Sequence, residues 1–377
     1  MKQDSDLRNN LKSIRTRLGM SQQDLANLAG VTRQTISGVE SGQYAPSVTI
    51  TLRLAKALGC QVEHLFWLEQ DLPEIEAVLA KSVPSGQQLR VSLARVGGEW
   101  IAYPLIGKDA FRQDMIPADG EGEKQTNTDK LRVRLLDENI DTLYNTVVIA
   151  GCSPVISLWA RATERWHPQL RVQYNFANSM AALHSLCRGE AHIAGMHLYD
   201  PISGEYNIPF VREVLAGREA VLITLGVWEE GLMVQPGNPK GIRTLTDLVQ
   251  MKATIVNREV GSGSRLLLEQ TLEKEQLPSH ALQGFEQIIT SHQDVAGAIA
   301  SGIADAGIST ASVAAAFGLG FIPLRQSRYD LVILKEYLEE APVQQLLSTL
   351  GHRLVHSQLE ILGGYDISKI GEVVATV

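Results

Sequence analysis

Cysteine is scarce in this chain. Cys60, Cys152 and Cys187 are odd in number, widely scattered and without the spacing of paired metal ligands, so neither a disulfide framework nor a zinc site is expected. Reduced thiols, no metal and no required cofactor are the expectation. Long apolar runs are missing too: none approaches the roughly eighteen residues of a membrane span. The start also lacks a basic stretch leading into an apolar one. A soluble, cytoplasmic chain with no membrane partner is expected. The signatures of acyl transfer, phosphoryl transfer and zinc hydrolysis (Gly-x-Ser-x-Gly, Gly-x-x-x-x-Gly-Lys, His-Glu-x-x-His) are absent. The nine histidines are dispersed, and the acidic pairs Glu229/Glu230 and Glu339/Glu340 read as solvated surface. An enzyme is therefore not expected.

What is present is uneven along the chain. The net charge is -8, yet residues 1–68 carry +3 and the remainder -11, which sets the amino-terminal piece apart. At 377 residues the chain exceeds one compact core and implies two or three domains. In "MSQQDLANLAGVTRQTISGVESGQYAPSVTITLRLAKALG", Ser21 and Asp24 form a capping-box pair ahead of Leu25, Leu28 and Ala29. Gly30 supplies a left-handed stop and Thr32 caps a second helix running to about Glu40. Ile36 and Val39 turn that helix inward, leaving Arg33, Gln34, Ser37 and Thr35 on or near its outer face. An Arg fork suits guanine, a Gln amide suits adenine, and hydroxyls suit bases or phosphates. Ser47 caps a further helix that Gly59 ends. A helical bundle that binds another protein is the alternative for this piece.

The segments "LGMSQQDLA", "GVTRQTIS", "ESGQYAPS" and "LAKALG" make residues 7–68 resemble the DNA-binding domain of the Cro and lambda-type repressor (XRE) family. That resemblance implies double-stranded operator DNA as partner. It implies that Gln22 contacts the backbone and braces the recognition helix, that Arg33, Gln34 and Ser37 face bases, and that Thr32 and Thr35 belong to the same surface. Gly38 stands where a longer polar residue is common. A single +3 head binds weakly, so a homodimer on paired half-sites is expected.

Residues 69–144 read as a small β-rich connector. "LRVSLARVGGEWIAYPL" has the alternation and Gly-Gly turn of a hairpin, "DKLRVRLLD" reads as a strand, and "ADGEGEKQTNTD" reads as a mobile polar loop. Asp119 and its acidic neighbours are expected to be solvated rather than to hold a cation.

Beyond residue 145, strand and helix patterns alternate and imply a parallel, doubly wound sheet. "LCRGEAHIAGMHL" and "AIASGIADAGIST" repeat a helix end, a Gly, one residue, an Ala and a short strand, which suggests similar units in two lobes. In "NREVGSGSR", Gly261 to Ser264 follow a predicted strand and open a predicted helix, where ligand crevices of open α/β sheets form. Small residues there let the backbone approach a ligand, first-turn amides are free, and Ser262, Gly263, Ser264, Arg258 and Arg265 make a donor-rich anion cradle. A plain strand-to-helix connection is the alternative. Two more junctions, "GCSP" with Cys152 and Ser153 and "ANSM" with Asn178 and Ser179, point hydroxyls or amides at the same crevice. His197 after the next strand either donates to an anion or caps its strand, and Ser309 is a candidate on the same logic.

The stretches "AGCSP", "GEAHIAGMHLYDPISGEYN", "GLMVQPGNPKGIRTLTDL", "NREVGSGSR", "GIADAGIST" and "GLGFIPLRQSRYDLVI" make residues 145–377 resemble the two-lobed, type II periplasmic-binding-protein-like fold. Within it they are most similar to molybdate/tungstate-binding-like domains. The resemblance places the second lobe at about 232–321, aligns Arg258, Ser262, Gly263 and Ser264 with the tungstate-type anion loop, and maps the first-lobe loops to Cys152, Ser153, Asn178 and Ser179. Cys152 stands where a hydroxyl is common, and Ser264 where Thr is usual. The expected whole is a multidomain, one-component transcription regulator with three parts: an all-α helix-turn-helix bundle (1–68), the β-rich connector (69–144) and an α/β ligand-sensing domain (145–377). Its effector is expected to be a small anion, molybdate or tungstate, with sulfate, phosphate, an organic acid or a cofactor precursor as alternatives. Stacking by Trp159, Trp228 or Tyr199 would favour an organic ligand.

Overall fold

The computed structural model describes residues 7–68, 72–84, 86–111, 115–124, 128–137 and 139–377. The chain divides into two units, Met1–Pro73 and Glu74–Val377.

In the first unit, β1 (Leu7–Asn9) pairs with β2 (Phe66–Leu68) and clasps five helices: α1 (Leu11–Arg17), α2 (Gln22–Ala29), α3 (Arg33–Glu40), α4 (Val48–Leu58) and α5 (Val62–Leu65). Each boundary has a local cause. The Ser21 hydroxyl accepts from Asp24 N–H at 3.1 Å while Asp24 accepts from Ser21 N–H at 2.8 Å. Gly30 ends α2 and Gly59 ends α4 at φ 65° and 66°, where a Cβ is strained. Thr32 and Ser47 cap α3 and α4. Leu11, Leu25, Ile36, Leu54 and Leu65 are fully buried at the centre.

The second unit begins with a closed barrel of β3 (Glu74–Leu79), β4 (Gln88–Val96), β5 (Glu99–Pro104), β6 (Gly120–Lys124) and β7 (Lys130–Leu135). The segment read as a mobile loop is in part β6, paired with both β4 and β7. Its glycines fit there because a Cβ on Gly120 or Gly122 would collide with β7. Residues 125–127 lie outside the described residues. Nor is Asp119 solvated: it accepts from Leu93 N–H at 2.7 Å and from the Arg171 guanidinium at 2.6 Å. The β4–β5 hairpin is buried on both faces. Val91 and Leu93 fill the barrel, whereas Ala94, Val96, Ile101 and Tyr103 belong to the core of the first lobe. At roughly 1.5–3 kcal/mol for each large apolar side chain buried, that contact fixes the barrel to the first lobe.

After α6 (Asp141–Tyr144) the first lobe follows: β8 (Thr146–Gly151), α7 (Val155–Trp166), β9 (Arg171–Phe176), α8 (Ser179–Cys187), β10 (Ile193–Met196) and α9 (Ile208–Leu215). The fifteen-residue β11 (Ala220–Val234) leaves it. The second lobe has α10 (Leu245–Gln250), β12 (Ile255–Arg258), α11 (Gly263–Lys274), β13 (Ile288–Ile289), α12 (His292–Ala300), β14 (Ala306–Thr310) and α13 (Ala311–Ala316). A second fifteen-residue strand, β15 (Gly320–Leu334), returns to the first lobe. There α14 (Lys335–Leu338), α15 (Ala341–Ser348), α16 (Arg353–Leu362), β16 (Tyr365–Asp366) and β17 (Val373–Thr376) complete the chain.

The strand path β13-β12-β14-β11-β15-β10-β8-β9 reads the same from either end. Each lobe has a parallel trio with a long strand antiparallel beside it. The sheet is thus parallel within each trio but mixed overall, because β11 runs against the second-lobe trio, β15 against the first-lobe trio, and the two against each other. The repeated sequence string occupies equivalent places, α8 to β10 and α12 to β14, and its glycines Gly189 and Gly302 both have left-handed φ, at 71° and 76°. Among the described residues no helix is long and apolar enough to cross a membrane.

Candidate functional site

Because the lobes repeat one plan, their loops converge in matching pairs at the ends of the strands. Cys152 and Ser153 follow β8 as Gly261–Ser264 follow β12. Asn178 and Ser179 follow β9 as Ser291 and His292 follow β13. His197 follows β10, and Ser309 and Thr310 end β14. Trp228 and Glu230 on β11, with Ser327 and Tyr329 on β15, form the floor between them. All these side chains from Cys152 to Tyr329 are buried, apart from Asn178, Gly261 and Ser291 on the rim.

The cleft is closed. Asn178 donates to Val260 O at 3.3 Å and Met180 N–H to Gly261 O at 3.1 Å, while Gln270 donates to Tyr199 O at 3.1 Å. The glycines of "GSGSR" serve this closure. A Cβ on Gly263 would collide with the His197 ring, and one on Gly261 would lie 3.0 Å from Met180 Cβ. Close approach is the reason for glycine here, as sequence reasoning held, but the partner is the opposite lobe.

Inside, His197 and Glu230 form an ion pair, Nε2 to Oε1 at 3.4 Å, both fully enclosed. Burial works against both charges, but each is overcome by the other: His197 is raised to about 10, and Glu230 is lowered to about 2. Ser264 Oγ donates to the same Glu230 oxygen at 2.8 Å. Glu230 is thus not the solvated acid its "EE" context suggested; β11 carries it through the middle of the sheet, where alternate residues face the cleft.

Among the described residues four buried nitrogens of the cleft lack a hydrogen-bond partner, Arg258 Nη1, Trp228 Nε1, His197 Nε2 and His292 Nε2, as does His356 Nε2 on α16. His197 Nε2 touches Glu230 only as an ion pair, misaligned for a hydrogen bond. Arg258 is 2% exposed, and its other two nitrogens are spent on Glu259 at 2.9 and 3.0 Å. The Trp228 ring is packed edge-on against His197, His292, Tyr329 and Tyr365 at centroid distances of 4.8, 5.6, 4.9 and 6.0 Å. It presents its N–H rather than a free face. Trp159 is core, bonded to Thr349, and Tyr199 sits at the rim under Arg325. His292 is held by Ser309 at 2.9 Å, and burial, then the nearby Arg258 guanidinium, pushes its pKa well down.

The fold therefore gathers Cys152, Ser153, Ser179, His197, Arg258, Gly263, Ser264 and Ser309. Three expected residues take other duties. Asn178 caps α8 and latches the lobes, Ser262 caps α11, and Arg265 turns to Glu269 at 2.6 Å and lies over the Phe285 ring. Sequence reasoning missed His292, took Glu230 for solvated surface and named Trp228 only as a stacking group for an organic ligand. His292 was within reach, because the repeat demands a junction equivalent to Asn178–Ser179; the two-residue β13 hid it. Cys152, His197 and His292, lacking any linear metal-ligand spacing, are nonetheless brought together with ligand atoms within 4.8 Å of one another.

In the helical unit, Arg33, Gln34 and Ser37 are exposed on α3, as are the turn residue Thr32 and, in part, Thr35. Thr32 caps through Thr35 N–H at 3.1 Å. Gln22 braces α3 by donating to Glu40 at 2.8 Å, beside the Arg15–Glu40 pair at 2.6 Å. Burial opposes the Glu40 charge, but these partners outweigh it and hold the carboxyl below its usual range. A side chain at Gly38 would press on Tyr44 Cβ at 3.2 Å.

The PBP superfamily domain pattern matches residues 160–351, just over half of the chain. The chain belongs to the PBP superfamily. A helix-turn-helix pattern matches residues 11–65 ahead of the PBP superfamily domain. The Bacillus subtilis uncharacterized protein YvgK is 36% identical over 201 residues, 53% of this chain, and this chain spans 64% of YvgK's length. The uncharacterized HTH-type transcriptional regulator YgzD of the same organism is 42% identical over 65 residues, 17% of this chain and 98% of YgzD. Among solved structures, a Clostridium perfringens protein described as a substrate-binding protein of a phosphate ABC transporter, with phosphate bound, covers 57% of this chain and 98% of its own at 15% identity and TM-score 0.45.

Proposed function

We propose that this protein is a one-component transcription regulator whose helix-turn-helix head reads operator DNA and whose PBP-like cleft senses a small oxyanion, molybdate or tungstate. The observation that carries the sensor reading is the set of N–H groups enclosed between the lobes without a hydrogen-bond partner: Arg258 Nη1 and Trp228 Nε1, with His197 Nε2 met only by its ion pair to Glu230. An unsatisfied buried polar group costs about 1–3 kcal/mol, more when charged, and one oxyanion between the lobes satisfies several together. The buried Ser153 hydroxyl accepts from Val155 N–H and can donate to the same guest. The covered faces of Trp228 leave no stacking platform, which favours an inorganic over a planar organic anion.

The head supports DNA binding through the exposed Arg33, Gln34 and Ser37 and through its likeness to proteins named HTH-type transcriptional regulators. Two copies on paired half-sites would supply the affinity that one +3 head lacks, and operator DNA as partner places the protein in the cytoplasm. The effector acts by preferring the closed form over the open one, and that difference in affinity alone sets how far it shifts DNA binding. Isothermal titration with molybdate, tungstate, sulfate and phosphate tests the reading. Binding of molybdate or tungstate well below millimolar is expected, and silence from all four would remove the oxyanion.

A further inference from the structure

Two atoms of the cleft do not suit a guest that only accepts hydrogen bonds. Ser309 Oγ lies 2.9 Å from His292 Nδ1 and 3.5 Å from the His292 carbonyl oxygen, an arrangement in which it can accept from Nδ1–H while donating to the carbonyl. That tautomer leaves His292 Nε2 with a bare lone pair, buried and unpartnered. The other is Cys152 Sγ from the first lobe, which lies 3.7 Å from His197 Nδ1. Ligand atoms of these three residues lie within 4.8 Å of one another. Ligands placed opposite each other on a centre at about 2–2.3 Å stand up to ~4.4 Å apart, so groups gathered this closely can share one. Holding the far nitrogen of a ligating histidine, as Ser309 does, is the usual way its ring is aimed.

We propose that Cys152 Sγ and His292 Nε2, one from each lobe, coordinate the metal centre of the oxyanion itself while Arg258, Trp228 and His197 hold its oxygens. The inference rests on the oxyanion reading above. It supplies what charge and size do not, a means of telling molybdate or tungstate from sulfate. Sulfur and phosphorus in their tetrahedral oxyanions accept no further ligands, whereas hexavalent molybdenum and tungsten expand their coordination and take nitrogen and sulfur donors. A bare cation is the poorer guest, because the buried Arg258 guanidinium stands in the same cleft and repels it. On binding, the thiol sulfur bonds to the metal and its proton passes to one oxo group, which becomes hydroxo. The imidazole lone pair forms the second new bond. No metal–oxygen bond breaks, the metal stays hexavalent, and the anion keeps its charge of minus two. Because the two ligand atoms come from opposite lobes, the bound metal ties the cleft shut.

X-ray absorption at the molybdenum edge of the full chain loaded with molybdate tests this without a variant. A sulfur and a nitrogen neighbour are expected, and a shell of four oxygens alone overturns the inference while leaving the oxyanion reading intact. Cys152→Ser, checked for an unchanged melting profile, should weaken molybdate binding by ~10-fold or more and change sulfate binding by less than about twofold. Equal losses for both anions overturn the inference. Hydrogen phosphate bound as tightly as molybdate overturns it too, by showing that the His292 lone pair takes a proton, and tight binding of zinc ion alone overturns it in favour of a cation site. Failure of every oxyanion to bind removes the underlying reading as well.

Discussion

The two lobes share one strand plan but bring different chemistry to the cleft. The first supplies Cys152, Ser153, Ser179 and His197 and is braced from outside by the barrel and by α15 and α16. The second supplies the guanidinium of Arg258 and the ring of His292, and its core splits into two smaller clusters. The crossover strand β11 supplies the countercharge, Glu230, that answers His197. On the proposed reading an anion is held by groups from both lobes, so binding and closure would be one event.

The largest way to break this division is Glu230→Gln. Removing one partner of a buried ion pair costs about 3–5 kcal/mol, and thermal unfolding should show it. The pH dependence fixes the sign. Glu230, lowered from 4.5 to about 2, contributes stability above its unfolded value that is lost as pH falls toward 2. His197, raised from 6.5 to about 10, contributes stability below 6.5 that fades as pH rises through 10. Stability from the pair should therefore plateau between about pH 4.5 and 6.5 and decline on both sides, and the variant should flatten that profile. A variant profile that keeps the wild-type shape would detach the pair from stability.

Arg258→Ala should cost roughly 1.5–3 kcal/mol of oxyanion affinity, the worth of a charged hydrogen-bonding group, and leave operator binding by the ligand-free protein unchanged. The double change Arg33→Ala with Gln34→Ala should do the reverse, weakening operator binding by about 1–3 kcal/mol for each base that is no longer read. Titration and electrophoretic mobility shift read the two, and any cross-effect would tie head and cleft more closely than their separate units suggest.

Gly263→Ala sharpens the comparison by touching closure and not charge. Its methyl meets the His197 ring, and the strain of about 1–3 kcal/mol falls on the closed form alone. Ligand affinity should drop about tenfold while the melting temperature without ligand changes little. Unaltered affinity would mean that the lobes do not close as far when the cleft is filled.

What could be read in advance follows from how far apart the cooperating residues lie in the chain. The side-chain caps of α2, α3 and α4 pair residues three apart, so Ser21 with Asp24 and Thr32 with Thr35 are legible on sight. The junctions after β8, β9 and β12 were legible because four or six strand residues precede each. His292 was not, with two strand residues before it, nor was Glu230, whose burial depends on β14 and β15 lying either side of β11. The barrel was half legible: its hairpin was, but the glycine strand Gly120–Lys124 looks like a loop until β7 is seen to leave no room for side chains.

The closed cleft also has a bearing on time. A guest held among side chains of which even Arg258 is only 2% exposed, under a glycine that touches the opposite lobe, has no path out while the lobes stay together. It leaves at the rate at which they part, which for hinged domains is set on the microsecond-to-millisecond scale or slower. A regulator of the proposed kind would thus retain its signal after the surrounding concentration has fallen, and its response would average supply over its own opening interval.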